Sequence, residues 1–137
     1  MAVIKELLRA EDNGTLSFGD YSLQKKTKLE EYEFRGDIYK VKTFAELTKL
    51  EKNGMFVYES MPGSSVMELL ITDQEISFSV SASADIQFTL GLEPESEYRV
   101  YIDGEDAGAM STNLSGKLSM SAECAEDRSV NVRVVKL

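Results

Sequence analysis

Tyr98-Arg-Val-Tyr-Ile-Asp-Gly-Glu-Asp-Ala-Gly108, Ser115-Gly-Lys-Leu-Ser-Met-Ser-Ala122 and Ser129-Val-Asn-Val-Arg-Val-Val-Lys-Leu137 are three pieces of the C-terminal stretch whose reading decides the fold. Tyr98, Val100 and Ile102 alternate with Arg99, Tyr101 and Asp103. Leu118, Met120 and Ala122 alternate with Ser119 and Ser121, and Val130, Val132 and Val134 with Asn131, Arg133 and Val135. A period of two places each set on one face, which predicts half-buried strands of an antiparallel sheet. Asp103-Gly104 and Ser115-Gly116 are the turn pairs between them.

The same signature recurs upstream. Lys5 to Ala10 and Thr15-Leu-Ser-Phe18 flank Glu11-Asp-Asn-Gly14 and read as a hairpin; Val3, Ile4, Leu7 and Leu8 also fit one face of a helix, but Leu16 and Phe18 need a partner strand. The second half of Lys25–Phe34 reads as a strand that turns at Arg35-Gly36-Asp37 into Ile38–Thr43. Phe44–Leu50 fits a short helix or a strand, and the Asn53-Gly54 pair that follows favours the strand, running on to Met55–Glu59. Met61-Pro-Gly-Ser-Ser65 is a loop. Val66–Thr72 is dense enough to be a central strand covered on both faces. Ile76–Ala82 and Ile86–Leu90 alternate cleanly. The expectation is a single all-β domain over residues 1–137, an antiparallel β-sandwich or jelly roll of roughly ten short strands.

Composition narrows function mostly by exclusion. Twenty-four acids against 15 bases give a net charge of -9, and an acidic surface repels phosphate backbones and anionic lipid, so neither nucleic acid nor membrane is an expected partner. No apolar run approaches the ~20 residues of a membrane helix, and the N-terminus lacks a signal-peptide core, so the cytoplasm is the default expectation. The chain has no histidine, which removes Ser-His-Asp and Cys-His catalysis and His-containing zinc sites. Cys124, the single cysteine, stands among Glu123, Glu126 and Asp127, whose charge opposes thiolate formation.

The remaining candidates are few. Asp103, Glu105 and Asp106 put three carboxylates in four residues and are weak calcium candidates, because the spacing is not that of a dedicated loop. Arg35-Gly36-Asp37 matches an adhesion tripeptide but also suits a hairpin turn. Ser77, Ser79, Ser81 and Ser83 form an outward polar stripe, with Ser119 and Ser121 on a comparable face. Such a stripe suits sheet packing or sugar binding. With no tryptophan, Tyr21, Tyr39, Tyr58 and Tyr101 are the aromatic candidates for a binding platform. The six methionines (Met1, Met55, Met61, Met67, Met110, Met120) read as core filler or contact surface.

The segment Gly91-Leu-Glu-Pro-Glu-Ser-Glu-Tyr-Arg-Val-Tyr-Ile-Asp-Gly104, with Ser115-Gly-Lys-Leu-Ser119, resembles accessory β-sandwich domains of extracellular polysaccharide-degrading enzymes. With Gly19-Asp20-Tyr21 and Asn53-Gly-Met-Phe-Val-Tyr-Glu-Ser60, the whole chain also resembles short all-β bacterial proteins that carry an endosialidase label. Sialidases resemble large propellers with an arginine triad and a Tyr/Glu nucleophile pair. Here Arg9, Arg35, Arg99 and Arg128 lie on separate segments, so the resemblance implies the fold and carries no catalytic residue. The expected function is therefore a non-enzymatic interaction or structural module without cofactor, self-assembling or a subunit of a larger assembly, with a homo-oligomer or protein partner. The alternatives are a carbohydrate-binding module, with a glycan partner, and a glycoside hydrolase acting through a carboxylate pair.

Overall fold

The computed structural model describes residues 2–137; Met1, among the residues read as filler, lies outside them. Thirteen strands run β1 (Leu8–Ala10), β2 (Leu16–Phe18), β3 (Thr27–Phe34), β4 (Asp37–Phe44), β5 (Leu47–Lys52), β6 (Met55–Met61), β7 (Ser65–Ile71), β8 (Glu75–Ser81), β9 (Ile86–Gly91), β10 (Glu97–Ile102), β11 (Glu105–Ser111), β12 (Lys117–Ala122) and β13 (Ser129–Lys136). They form two antiparallel sheets, one in the order β1-β2-β7-β8-β13-β10-β11, the other β12-β9-β6-β5-β4-β3. The protein is a β-sandwich. Among the described residues no helix is long and apolar enough to cross a membrane.

Local chemistry explains the hairpins. Arg35-Gly36, Asn53-Gly54 and Asp103-Gly104 each hold positive φ at both positions (54° and 84°, 52° and 78°, 51° and 82°), the backbone that a two-residue hairpin twist demands. Asn53 adds a side-chain bond, its Oδ1 accepting the Ile38 N–H at 2.9 Å. The adhesion-like tripeptide is thus used as the β3–β4 turn. Phe44–Leu50 is not a helix: β4 ends at Phe44 and β5 begins at Leu47, with the two residues directly paired. The N-terminal hairpin is present, Leu8 facing Phe18 and Ala10 facing Leu16.

Three expectations change. First, β11 (Glu105–Ser111) is an additional strand, too rich in Ala and Gly to show alternation, and it pairs with β10 around a bulge at Val100/Tyr101. Second, β12 does not share a sheet with β10 and β13; it crosses to pair with β9, Met120 opposite Phe88. Third, β7 is not covered on both faces. A bulge between Met67 and Leu70, with Glu68 at φ +56°, resets its phase and leaves Leu70 and Ile71 outside at 36% and 41% exposure. The same device explains the poor alternation of β3: a bulge with Glu31 at φ +57° lies between Leu29 and Tyr32.

The core lies between the sheets. Val80, Val100, Val132 and Val134 come from one side and Val41, Leu50, Phe88 and Leu90 from the other, all buried. Full burial of such a side chain contributes about 2 kcal/mol. Tyr58 stands at the centre, its ring 5.5 Å from Phe18, 5.8 Å from Phe78 and 6.0 Å from Phe88. A buried polar cluster ties the Met61–Ser65 loop to the six-stranded sheet. Tyr58 Oη and Ser64 Oγ are 2.7 Å apart, Ser60 Oγ and Ser64 Oγ 2.6 Å, and Thr48 Oγ1 donates to the Ser64 carbonyl at 2.9 Å. Gly63 lies so close to the Phe44 carbonyl that a Cβ there would overlap its oxygen.

Candidate functional site on the seven-stranded sheet

Of the four tyrosines expected as a platform, three are not on the surface. Tyr21, Tyr39 and Tyr58 are 5%, 6% and 1% exposed, because each falls on the inward phase or in the packed connection beside it. Burial raises the phenol pKa of all three. Tyr21 Oη is buried without a hydrogen-bond partner among the described residues. Tyr101 alone is half-exposed, on the outward phase of β10.

Tyr101 belongs to a row of direct cross-strand neighbours. Register places Leu70 of β7 beside Ser77 of β8, Ser77 beside Arg133 of β13, Arg133 beside Tyr101, and Tyr101 beside Asp106 of β11. One step along, Met67, Ser79 and Asn131 face one another in the same way. The outward side chains enclose a groove of about 560 Å³ that includes Glu68, Ser77, Ser79, Tyr101, Asn131 and Arg133.

The lining is held in place from below and from the sides. The Arg133 guanidinium lies 5.5 Å from the centre of the Tyr101 ring, and its Nε donates to Glu75 Oε2 at 2.7 Å. Ser79 Oγ donates to Asn131 Oδ1. Asn131 N–H donates to Asp103 Oδ1 at 2.9 Å. Glu68 sits on the β7 bulge, its N–H donating to Ser17 Oγ at 3.0 Å while its Oε1 accepts from Asn13 Nδ2 at 3.1 Å. Ser17 in turn donates to Glu11 Oε2 at 2.6 Å, and that bond, then Arg9, lowers the Glu11 pKa. A positive φ on a non-glycine residue costs of order 1 kcal/mol, and bulges of this kind re-aim side chains. Here the bulge aims Glu68 along the groove wall.

The other sequence candidates fall elsewhere. Asp103 accepts from Arg128 Nη2 at 3.1 Å and Asp106 from Arg99 Nη1 at 2.8 Å and the Gly108 N–H at 2.7 Å, so the two carboxylates are committed to separate donors. The Gly108 bond, then Arg99, lowers the Asp106 pKa. Glu105 is exposed at the start of β11. Among the described residues no three His, Cys, Asp or Glu side chains converge as a metal set would. Arg9 is engaged by Glu11, and Arg35 lies over Phe34, so the four singled-out arginines do not converge. Ser77 and Ser79 line the groove, but Ser81 is buried, and Ser119 and Ser121 sit on the opposite sheet, bonded to Thr89 and Gln87. Cys124 is buried; desolvation, then Asp85, raises its pKa.

Glu68, Asn131 and Arg133 were not singled out from sequence. A charge inside the apolar run Val66–Thr72 was the one local signal for Glu68. Asn131 and Arg133 required the β8–β13 pairing. Comparison with known proteins gives no family model, no curated protein and no solved structure that matches the chain.

Proposed function

We propose that the protein is a non-catalytic module that works by contact, and that the groove on its seven-stranded sheet binds a neutral oligosaccharide. The observation that carries this reading is the composition of the groove. It combines a fixed aromatic ring, Tyr101, with the hydroxyls of Ser77 and Ser79 and three planar hydrogen-bonding groups, those of Glu68, Asn131 and Arg133. Sugars offer adjacent hydroxyls, which such forks engage in pairs, and apolar C–H faces, which lie against rings. Its volume falls within the range of small-ligand sites. The resemblance of Gly91–Gly104 to accessory domains of polysaccharide-degrading enzymes points the same way.

Among the described residues Glu68 is the one carboxylate lining the groove, whereas glycoside hydrolysis needs two at ~5–10 Å across the scissile bond. The binding reading is therefore preferred to hydrolysis. A neutral-glycan array followed by calorimetry tests it. Tyr101→Ala and Asn131→Ala are each expected to weaken a bound oligosaccharide by roughly tenfold, equal to ~1.4 kcal/mol. An array without hits, or a hit that neither substitution weakens, would overturn it.

A further inference from the structure

The stretch that forms β3, β4 and β5 of the six-stranded sheet has a charge balance unlike the rest of the chain. Residues 25–52 carry eight bases against six acids, and the remainder seven against eighteen, so a region of +2 is joined to a body of -11. Register concentrates that charge. Lys28 of β3 faces Lys42 of β4, and Lys42 faces Lys49 of β5, three ammonium side chains on adjacent strands about 4.8 Å apart. Directly opposed like charges destabilise a sheet. Yet among the described residues neither these three nor Lys26 makes an ion pair. Burial, and after it the charges of Lys28, Lys26, Lys40 and Lys49, lowers the Lys42 pKa.

Beside this row lies an apolar floor. Phe44 faces Leu47 across the β4–β5 turn, and Met61, at the end of β6, is 54% exposed. Together with Lys26, Lys42 and Lys49 they line a groove of about 370 Å³, whose rim also carries Glu46 and Glu59. An apolar floor with a cationic rim fits an apolar side chain flanked by acids.

The same molecule presents such a feature. Leu114, at 80% exposure, is the most exposed large apolar side chain among the described residues. It sits on a rigid turn: Asn113 Oδ1 accepts the N–H groups of Ser115 (3.0 Å) and Lys117 (2.9 Å), and Leu92 N–H donates to the Gly116 carbonyl at 2.7 Å. Glu95 N–H donates to the Asn113 carbonyl at 3.1 Å, which seats the acidic loop Glu93-Pro-Glu-Ser-Glu97 against it. Glu93 is engaged by Lys136, while Glu95 and Glu97 make no ion pair among the described residues. The knob lies at the Lys117/Gly91 end of the strands and the lysine socket at the Met61/Gln87 end, so the two occupy opposite corners.

We propose that the Leu114 knob of one copy docks into the Phe44–Leu47–Met61 socket of a second copy, with Glu95 and Glu97 meeting the Lys28–Lys42–Lys49 row. Two different surfaces meet, so the contact is heterologous and propagates head to tail into chains or rings. Charge complementarity selects the partner, and salt weakens it as the screening length shortens.

Sedimentation velocity across concentration and salt tests the proposal on the full chain. The wild type is expected to grow beyond dimer as its concentration rises and to revert towards monomer at ~1 M salt, where the screening length is about 3 Å. Leu114→Asp removes the knob, and the double substitution Lys42→Glu with Lys49→Glu removes the socket. Both involve surface side chains, and unchanged melting curves establish that the variants fold. Each alone should be monomeric, and an equimolar mixture should form a dimer and stop there. A wild type that stays monomeric at ~0.5 mM, fivefold above a weak ~0.1 mM dissociation constant, would overturn the proposal. So would variants that associate as the wild type does, or a wild type that stays monomeric while binding phosphatidylserine vesicles through the lysine row.

Discussion

The two outer faces of the sandwich are built from similar strands and solve their electrostatics in opposite ways. On the seven-stranded sheet each base has an acid within reach: Arg133 with Glu75, Arg99 with Asp106, Arg128 with Asp103. That face is satisfied by its own residues, and its groove is shaped before any ligand arrives. On the six-stranded sheet Lys42 stands between Lys28 and Lys49, and although Glu59 of β6 faces Lys49, none of the three lysines makes an ion pair among the described residues. A face that repels itself gains stability from something brought to it. The difference separates a groove whose side chains are fixed by hydrogen bonds from a surface whose like charges are left unpaired.

The largest expected effect breaks the lysine face from below. Gly63→Ala would drive a methyl into the Phe44 carbonyl, beneath the socket, and should cost about 3 kcal/mol, lowering the melting midpoint by roughly 10 °C. The groove lies on the other sheet, so ligand affinity of the folded fraction should change far less than self-association does.

Next is the core that both faces share. Tyr58→Phe keeps the ring and removes the hydroxyl bonded to Ser64, leaving Ser64 with Ser60; the expected loss is about 1 kcal/mol by urea unfolding at neutral pH. Tyr58 also has a pH signature. Burial raises its pKa, so the unfolded phenol ionises first, near pH ~10. Its contribution is complete below that pH and is lost as pH rises further. Tyr58→Phe should therefore lose stability less steeply than the wild type above pH ~10, and equal slopes would count against the assignment.

The smallest effects carry the comparison itself, because they have opposite signs. Arg133→Gln removes an exposed ion pair and should destabilise by about 0.5 kcal/mol. Lys42→Gln relieves two like-charge neighbours and should stabilise by about 0.5 kcal/mol at low salt, with the gain vanishing as salt rises. The folded-state pKa of Lys42 is lowered, so its penalty is present below that pKa and is relieved as pH climbs towards the ordinary lysine value. The difference between wild type and Lys42→Gln should narrow accordingly. Urea titrations at two ionic strengths and two pH values measure all three terms. If both substitutions destabilise equally, the two faces are alike and the contrast fails.

Much of the fold was legible because its signals are local. Val130, Val132 and Val134 alternate, and Asn53-Gly54 and Asp103-Gly104 take the backbone that turns a hairpin, whatever the rest of the chain does. Where a bulge intervened, alternation misled: Val66–Thr72 looked covered on both sides because Glu68 shifts the phase in mid-strand. Strand β11 was invisible for the opposite reason, since Ala107, Gly108 and Ala109 carry a methyl group at most and show no apolar-polar alternation.

The site was less legible. Tyr39, Tyr58 and Tyr101 all lie on strands, and residue type alone does not say which face each occupies. Tyr101 faces the groove because β10 pairs with β13, and Tyr58 lies among phenylalanines because β6 pairs with β9. By itself, then, the sequence determined that the chain makes an antiparallel sandwich, since alternation and turn geometry act within a few residues. Only the tertiary structure decided which strands are neighbours. That choice set Asn131 and Arg133 beside Ser77, Ser79 and Tyr101, and Lys42 between Lys28 and Lys49, because cross-strand contacts join residues with no proximity in the chain.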